Sequence, residues 1–279
     1  MSLDAIGVFD SGIGGLTVLR ALREELPLEK FVYIADAGHA PYGEREDAHV
    51  LSRSLAITQY LLEQHGIKAL VVACNTATAA AIRALRHAYP QLPIVGIEPA
   101  LKPAATASKT GRVGVMATRG TLNSEKFAQL QQSLGGTITF ALQPCDGLAD
   151  AIEHADAIKI EAVAALNTRA LGQFGSELGD IDTLVLGCTH YPLIADRLRQ
   201  LVGPDVVFFE GGVPVARQTR RLLSESGALA TASKSQHPLT GTAPIFFSTG
   251  SADEFQAAIR KWMELDVEVG VANIGTARG

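Results

Sequence analysis

Two similar stretches decide the fold: LVVACNTA at residues 70–77 and LVLGCTHY at residues 184–191. Each begins with a short apolar run rich in β-branched residues, which predicts a strand buried on both faces of a parallel sheet. Each run ends in a cysteine, Cys74 or Cys188, followed by small or polar residues and then a helical pattern. Ligands bind at the carboxyl ends of the strands in open α/β sheets. Both cysteines are therefore candidate site residues.

The neighbouring segments also recur along the chain. Three pairs of matching positions, in the same order, are separated by 107, 112 and 114 residues: Ser11 and Thr118, Glu98 and Glu210, and Cys74 and Cys188. Any two doubly wound units share strand patterns, but they do not share cysteines at equivalent strand ends. We therefore predict an α/β fold of two similar doubly wound domains related by pseudo-twofold symmetry, with an active site in the cleft between them.

A break in the pattern at residues 98–103 sets the expected domain limits. The first domain comprises residues 1–99 and, because a strand at 244–249 and a helix at 252–265 return to it, residues 212–270. Residues 100–211 form the second domain, and residues 271–279 are expected to be a tail that frays at its end. Residues 230–242 are rich in Ser, Thr and Ala, which predicts a surface loop.

Composition narrows the class of protein. The 279 residues carry a net charge of −5 without a long basic run, which argues against nucleic acid as the main partner. No apolar run is long enough to span a bilayer, and no targeting signal precedes the first strand, so we expect no membrane association and a cytoplasmic location. Three cysteines without disulfide-framework spacing suit reduced thiols.

The first predicted strand runs into a glycine-rich turn, DSGIGG at residues 10–15. This spacing matches neither the dinucleotide-binding pattern nor a P-loop. Asp10 would repel a phosphate, so one interpretation is a carboxylate that faces the ammonium group of a small ligand. The alternative is an aspartate that caps the following helix, with the glycines serving the turn.

Residues 37–43 contain Gly and Pro and predict a functional loop or lid. Within it Tyr42 offers a hydroxyl and Gly43 an unobstructed N–H, whereas His39 alone is a weak indicator of function. A further set of hydroxyl and amide side chains at strand ends suits the binding of carboxylate groups: Ser11, Asn75, Thr76, Thr118 and Thr189.

Two thiols on opposite sides of a cleft suit the inversion of a carbon centre, in which one base removes a proton and an acid delivers another to the opposite face. We expect the helices that begin after Cys74 and Cys188 to lower the thiol pKa values. Other interpretations are a disulfide, a nucleophile formed by Cys188 and His190, or small core residues. A metal site would need clustered His or Cys, and we expect none.

Four motifs together resemble the glutamate racemases of the cofactor-independent Asp/Glu racemase superfamily over nearly the whole chain. They are FDSGIGG at 9–15, PYG at 41–43, ACNTA at 73–77 and GCTHYPL at 187–193. The resemblance implies interconversion of L- and D-glutamate without a cofactor, supplying D-glutamate for bacterial peptidoglycan.

The resemblance also implies the roles of single residues. The implied catalytic groups are Cys74 and Cys188 as acid/base thiols, assisted by Asp10, His190 and Glu153. The implied substrate-binding residues are Asp10, Ser11, Tyr42, Gly43, Asn75, Thr76, Thr118, Thr121, Thr189 and His190.

The chain departs from that family in a few places. Asp146 stands where a proline is usual, and Lys126 and Phe127 stand where many members carry a tyrosine, which bears on Glu153 and Thr121. Asp36 and Cys145 have no assigned role. The family's N-terminal extension is absent, so we expect no activation by a cell-wall precursor.

Alternatives to glutamate racemisation remain at this point. One is a related racemase or isomerase that acts on aspartate, a hydantoin or maleate, and another is a non-enzymatic protein that closes on a dicarboxylate. The expected partner is the small-molecule substrate, with a homodimer left open.

Overall fold

The computed structural model describes residues 5–134, 136, 138–231 and 243–275. Its strands are β1 (Ala5–Asp10), β2 (Lys30–Ala35), β3 (Ile67–Val72), β4 (Ile94–Gly96), β5 (Arg112–Ala117), β6 (Thr139–Pro144), β7 (Thr183–Gly187), β8 (Val207–Phe209), β9 (Ile245–Ser248) and β10 (Val269–Val271). Its α-helices are α1 (Leu16–Glu25), α2 (Asp47–His65), α3 (Asn75–Ala88), α4 (Leu101–Ala107), α5 (Arg119–Leu122), α6 (Glu125–Gln132), α7 (Leu148–Glu153), α8 (Ala157–Leu171), α9 (Ala195–Val202), α10 (Gly212–Glu225) and α11 (Ala252–Met263). Short 3-10 turns occupy Ala37–His39, Tyr42–Glu44 and Tyr191–Ile194.

The strands form two parallel sheets. One has six strands in the order β10-β9-β2-β1-β3-β4, and the other has four in the order β6-β5-β7-β8. If the strands of each sheet are renumbered in chain order from the first one, β2-β1-β3-β4 and β6-β5-β7-β8 have the same spatial order: second, first, third, fourth. We call the six-stranded sheet with its helices the first unit and the four-stranded sheet with its helices the second unit. The predicted α/β fold of two similar doubly wound units is confirmed.

The central strands explain why the apolar runs form sheet rather than amphipathic helix. All six residues of β1 and all five of β7 are buried. Helices that cover both faces of the sheets remove the side chains of these central strands from water, and each fully buried Val or Leu contributes about 1.5–3 kcal/mol. The two strands that precede the paired cysteines, β3 and β7, each lie next to the first strand of their own sheet.

The first sheet contains more strands than its repeated part predicts. β9 pairs with β2 and returns the chain to the first unit after the second has been completed. β10, which the sequence pattern did not predict, pairs with β9 and crosses the expected limit between the first domain and the tail at residue 270. α4 lies where only a break was expected. The division into residues 1–99 with 212–270 and residues 100–211 stays a proposal.

The segments that follow the two cysteines differ from each other. After Cys74, α3 begins at once with Asn75. After Cys188, a 3-10 turn with Pro192 intervenes, and α9 begins only at Ala195. The surface loop expected at 230–242 lies mostly outside the described residues, as does most of the fraying end expected at 274–279, although the carbonyl oxygens of Ile274 and Gly275 accept hydrogen bonds from Arg53. Within the described part of the chain, no helix has both the length and the apolar character needed to cross a membrane.

Candidate active site

The carboxyl ends of the two sheets face a cavity of about 170 Å³ between the units. It is lined by most of the predicted site residues: Ser11, Tyr42, Gly43, Cys74, Asn75, Thr76, Thr118, Glu153, Cys188, Thr189 and His190. Asp10 and Thr121 are the two predicted substrate-binding residues that do not reach its wall. The cavity therefore brings together both cysteines, one from each unit.

Cys74 is the N-cap residue of α3 and is almost fully buried. Its Sγ accepts a hydrogen bond from the backbone N–H of Ala77 at 3.4 Å and lies 3.9 Å from Ser11 Oγ. Burial raises the pKa of this thiol well above its ordinary value, and the charge of Asp10 adds to the shift. The expectation that the helix start lowers this pKa is wrong, because desolvation outweighs the hydrogen bond from the helix terminus. The thiol is held protonated.

Asp10 lies behind the cavity wall at the end of β1 and is fully buried. Its Oδ2 accepts a hydrogen bond from Gly15 N at 2.7 Å, while its Oδ1 has no partner among the described residues. Burial raises its pKa from 3.8 to about 6, although the nearby His190 charge opposes the shift. The carboxylate therefore does not face a ligand directly, as one interpretation expected, but it places a titrating group near the Cys74 thiol.

Cys188 has a different neighbour. Its Sγ lies 3.7 Å from Nδ1 of His190, and Nε2 of the same ring lies 2.6 Å from Oε2 of Glu153. Burial opposes a charge on the His190 ring, but the hydrogen bonds with Cys188 and Glu153 outweigh it and hold the pKa well above its ordinary value. The contacts therefore favour the doubly protonated, positively charged form of the ring. No helix begins directly after Cys188, so the expected helix field is absent on this side.

The glycine turn of the first unit packs directly on this histidine and glutamate. The Ile13 N–H donates to both carboxylate oxygens of Glu153, at 3.2 and 3.0 Å. A Cβ on Gly12 would lie 2.3 Å from the Glu153 carboxylate, and one on Gly14 would lie 2.4 Å from His190 Nδ1. Both positions therefore require glycine for close approach across the cleft. Glu153 is the last residue of α7.

Hydroxyl and amide groups from both units line the remaining wall. Thr76 Oγ1 and Thr118 Oγ1 lie 2.9 Å apart across the cleft. Thr118 also donates to Thr121 Oγ1 at 2.9 Å, so Thr121 supports Thr118 from behind. The Oδ1 atom of Asn75 is buried without a partner among the described residues. These side chains give the cavity a neutral, hydrogen-bonding surface of the kind that binds carboxylates.

The loop that carries Tyr42 and Gly43 forms a wall of the cavity, as expected, but the tyrosine hydroxyl is bonded to Asp36. The Tyr42 hydroxyl donates to Asp36 Oδ2 at 2.5 Å, and Arg53 forms a buried ion pair with the same carboxylate at 2.8 Å. Burial would raise the pKa of Asp36, but the hydrogen bonds from Arg53 and Tyr42 outweigh it and lower that pKa. Tyr42 therefore offers the cavity its ring and backbone. Asp36 therefore has a structural role, which is to hold Tyr42 and Arg53. His39 packs against His49 instead of lining the cavity.

Sequence reasoning missed part of the wall. The missed residues come from four places, the glycine turn, the Tyr42 loop, α7 with the residue after it, and the start of α11 with the turn before it: Ile13, Ala37, Ala40, Pro41, Ala149, Asp150, His154, Gly250, Ser251, Glu254 and Phe255. The β9–α11 turn lies far along the chain and carries no motif, so no sequence signal could have placed it. Among the described residues no group of three His, Cys, Asp or Glu side chains could hold a metal ion.

Comparison with known proteins places this cavity in a family context. The family model described as Asp/Glu/hydantoin racemase matches residues 16–219. The glutamate racemase of Ectopseudomonas mendocina is 47% identical over 91% of this chain and 92% of its own. The crystal structure of the Bacillus anthracis glutamate racemase isoform RacE1 superposes with a TM-score of 0.82 and 32% identity, covering 98% of this chain and 97% of that one. The Escherichia coli glutamate racemase, solved with L-glutamate and the activator UDP-MurNAc-ala, gives a TM-score of 0.82 at 29% identity, covering 98% and 100%.

Proposed function

The chain belongs to the Asp/Glu/hydantoin racemase family, and on that premise we propose that it interconverts L- and D-glutamate and supplies D-glutamate for cell-wall synthesis. The observation that carries the proposal is the meeting of two buried cysteines, from equivalent strand ends of two similar units, in one small polar cavity. Relatives that cover nine-tenths of the chain and are named glutamate racemases support the choice of glutamate.

The reaction follows from the two thiols. The sulfur of one cysteine, as thiolate, takes the proton from Cα of glutamate, so a C–H bond breaks and an S–H bond forms. The thiol of the other cysteine gives its proton to the opposite face of the same carbon, so an S–H bond breaks and a C–H bond forms. No electrons are gained or lost, and the configuration inverts. This step needs only the two cysteines as acid and base.

The neighbouring residues are proposed to assist as follows. His190 and Glu153 stabilise the Cys188 thiolate, since a protonated imidazole beside a thiolate favours its charged form. Asp10 tunes Cys74 from behind the wall. Ser11, Asn75, Thr76, Thr118, Thr189 and the Gly43 backbone bind the substrate carboxylates. Tyr42 contributes its backbone, and Thr121 acts through Thr118. We further propose that the protein works in the cytoplasm on free glutamate.

The test is incubation of the protein with L-glutamate in deuterated buffer, without added cofactor or metal. We expect the optical rotation to be lost and D-glutamate that carries deuterium at Cα to form. NMR measures the deuterium at Cα. L-aspartate at the same concentration serves as the control and should turn over at least about tenfold more slowly, because its shorter side chain cannot reach the same hydrogen-bonding groups. The proposal would be overturned if glutamate showed no inversion and no deuterium exchange at Cα.

A further inference from the structure

Tyr33 lies in β2 of the first unit and is fully buried. Its ring stacks on Phe255 with centroids 5.6 Å apart, and its hydroxyl donates to the carbonyl oxygen of Gly12 at 2.8 Å. Burial holds the pKa of this phenol well above its ordinary value, so it remains a donor at every working pH. The hydroxyl is therefore aimed at the glycine turn that forms part of the cavity.

The carbonyl of Gly12 and the N–H of Ile13 belong to one planar peptide group. The hydrogen bond from Tyr33 fixes one edge of that plane, and the opposite edge donates to the two oxygens of Glu153. A hydrogen bond accepted by a peptide carbonyl polarises the group and strengthens its N–H as a donor. Tyr33 thus sets both the orientation and the donor strength of the group that holds Glu153.

Glu153 needs this anchor because it is the last residue of a six-residue helix in the other unit and remains 14% exposed at the cavity. From its anchored position, its Oε2 lies 2.6 Å from His190 Nε2. The opposite ring nitrogen lies 3.7 Å from the Cys188 sulfur. A carboxylate released toward solvent would lose the short contact with the ring, and the ring would lose its preferred orientation toward the thiol.

We propose that Tyr33 is a positioning residue that acts across the cleft, holding His190 against Cys188 through the Gly12–Ile13 peptide and Glu153. The expected effect of Tyr33 on the reaction rate rests on the proposed racemisation. Its expected effect on His190 rests on the hydrogen bonds alone. Tight packing at both ends of the chain of contacts supports it. A Cβ on Gly15 would lie 2.5 Å from the Tyr33 hydroxyl, and one on Gly12 would lie 2.3 Å from the Glu153 carboxylate.

The first experiment compares wild type with Tyr33→Phe, which removes the hydroxyl and keeps the ring on Phe255. We expect kcat for glutamate racemisation to fall about three- to tenfold, the equivalent of one hydrogen bond, with KM changed less than about twofold. We also expect the pKa of His190, titrated by NMR of protein with ¹³C-labelled histidine, to fall by about half a unit or more. Tyr60→Phe is the matched control, since Tyr60 packs on Phe247 outside this set of contacts and should change neither quantity.

The second experiment asks whether Tyr33 acts through Glu153. In a Glu153→Gln background the additional Tyr33→Phe change should slow the reaction by less than about twofold, because the link it supports has already been weakened. A general loss of packing around Tyr33 would instead slow both backgrounds by the same factor. Equal slowing in the two backgrounds would overturn the proposal.

The outcomes separate this inference from the proposed function. Racemisation by wild type with an unchanged rate and an unchanged His190 pKa in Tyr33→Phe overturns the positioning role and leaves the function standing. A wild type that does not racemise glutamate removes the proposed function, and the His190 titration still decides the positioning role. If Tyr33→Phe does not fold, replacing Ile13 by its α-hydroxy analogue removes the N–H at the other edge of the same peptide and should lower the His190 pKa likewise.

Discussion

The Cys74 side and the Cys188 side of the cavity are built on the same strand order but have opposite surroundings. Cys74 follows β3 and caps α3, and its near neighbours are a hydroxyl, a backbone N–H and the buried Asp10 carboxyl. Cys188 follows β7 directly and meets a protonated imidazole that is itself bonded to a carboxylate. One thiol is kept neutral by its environment, while the other has a cation within reach to stabilise its anion.

The difference separates what the fold supplies from what the side chains supply. The repeated sheets place two sulfurs at equivalent positions, which is the geometry that inversion at carbon needs. Burial first and Asp10 second raise the pKa of Cys74, whereas Cys188 has the Glu153–His190 pair beside it; neither Asp10 nor that pair recurs in the other unit. We therefore expect the resting enzyme to hold Cys74 as the thiol.

The largest effect should come from replacing either cysteine by serine. Both C74S and C188S should lose racemisation by about 10²–10⁴-fold, because each removes one of the two groups that we propose to transfer protons. Each should keep one-sided elimination from a glutamate analogue with a leaving group at Cβ, which needs only one base. With each variant given the enantiomer that its remaining cysteine deprotonates, we expect elimination by C74S to exceed that by C188S at pH 7, since burial and the Asp10 charge raise the pKa of Cys74 and reduce its thiolate.

Racemisation followed by circular dichroism and elimination followed by keto-acid formation measure these rates. C145S is the control and should racemise like wild type, because Cys145 is buried, contacts the Gln143 carbonyl at 3.3 Å and does not line the cavity. Faster elimination by C188S than by C74S would reverse the assignment of the two sides.

A smaller effect should appear in the stability of D10N. The Asp10 pKa is about 6 in the fold against an ordinary value of 3.8. Below pH 4 the carboxyl is protonated in both folded and unfolded chains and has no effect. Between pH 4 and 6 the unfolded chain ionises first, so the fold is progressively destabilised, and the full penalty of about 3 kcal/mol remains above that range. The stability of D10N relative to wild type should therefore rise by about that amount from pH 4 to pH 7.5.

Urea unfolding at these two pH values measures the change in D10N. D182N provides the contrast, because hydrogen bonds to the Lys109 and Thr110 backbone and to Ser108 lower the pKa of Asp182, against the effect of burial. Its loss of stability relative to wild type should grow from pH 3 to pH 7, the opposite sign. A relative stability of D10N that does not change with pH would show that Asp10 is not a titrating neighbour of Cys74.

The smallest effect on rate should come from Y42F, which belongs to neither side. Because the hydroxyl is occupied by Asp36, its removal should change kcat and KM for glutamate by less than about threefold while costing about 1 kcal/mol of stability. Steady-state kinetics and thermal unfolding check both numbers. A large rise in KM with unchanged stability would mean that the hydroxyl turns into the cavity to bind substrate.

The sequence was sufficient to predict the parts of the molecule that local pattern determines. Buried parallel strands are apolar runs, so β1, β3, β5 and β7 were predictable, and a cysteine at a strand end was enough to place a site there. The glycine-rich turn at residues 10–15 was recognised from its motif, but the carboxylate that it contacts lies 140 residues away along the chain.

What could not be predicted depends on contacts between distant segments. The Tyr42 hydroxyl is turned from the cavity by Asp36, whose other partners, Arg53 and Thr249, lie 17 and 213 residues along the chain. The direction of the Cys74 pKa shift depends on burial by both units, which a helix-start argument does not measure. β10 is three residues long and is defined by its partner β9 and not by its own composition.

The return of the chain to the first sheet has a consequence for how the protein is made. On the ribosome all strands of the second unit, residues 112–209, emerge as one continuous stretch. In the first unit, the edge of β2 stays unpaired until β9 and β10 have been synthesised. An unpaired parallel edge is a template for pairing with other chains. β9 and β10 therefore protect the first unit from aggregation only once they have been made, and a chain that stops before residue 245 would keep that edge open.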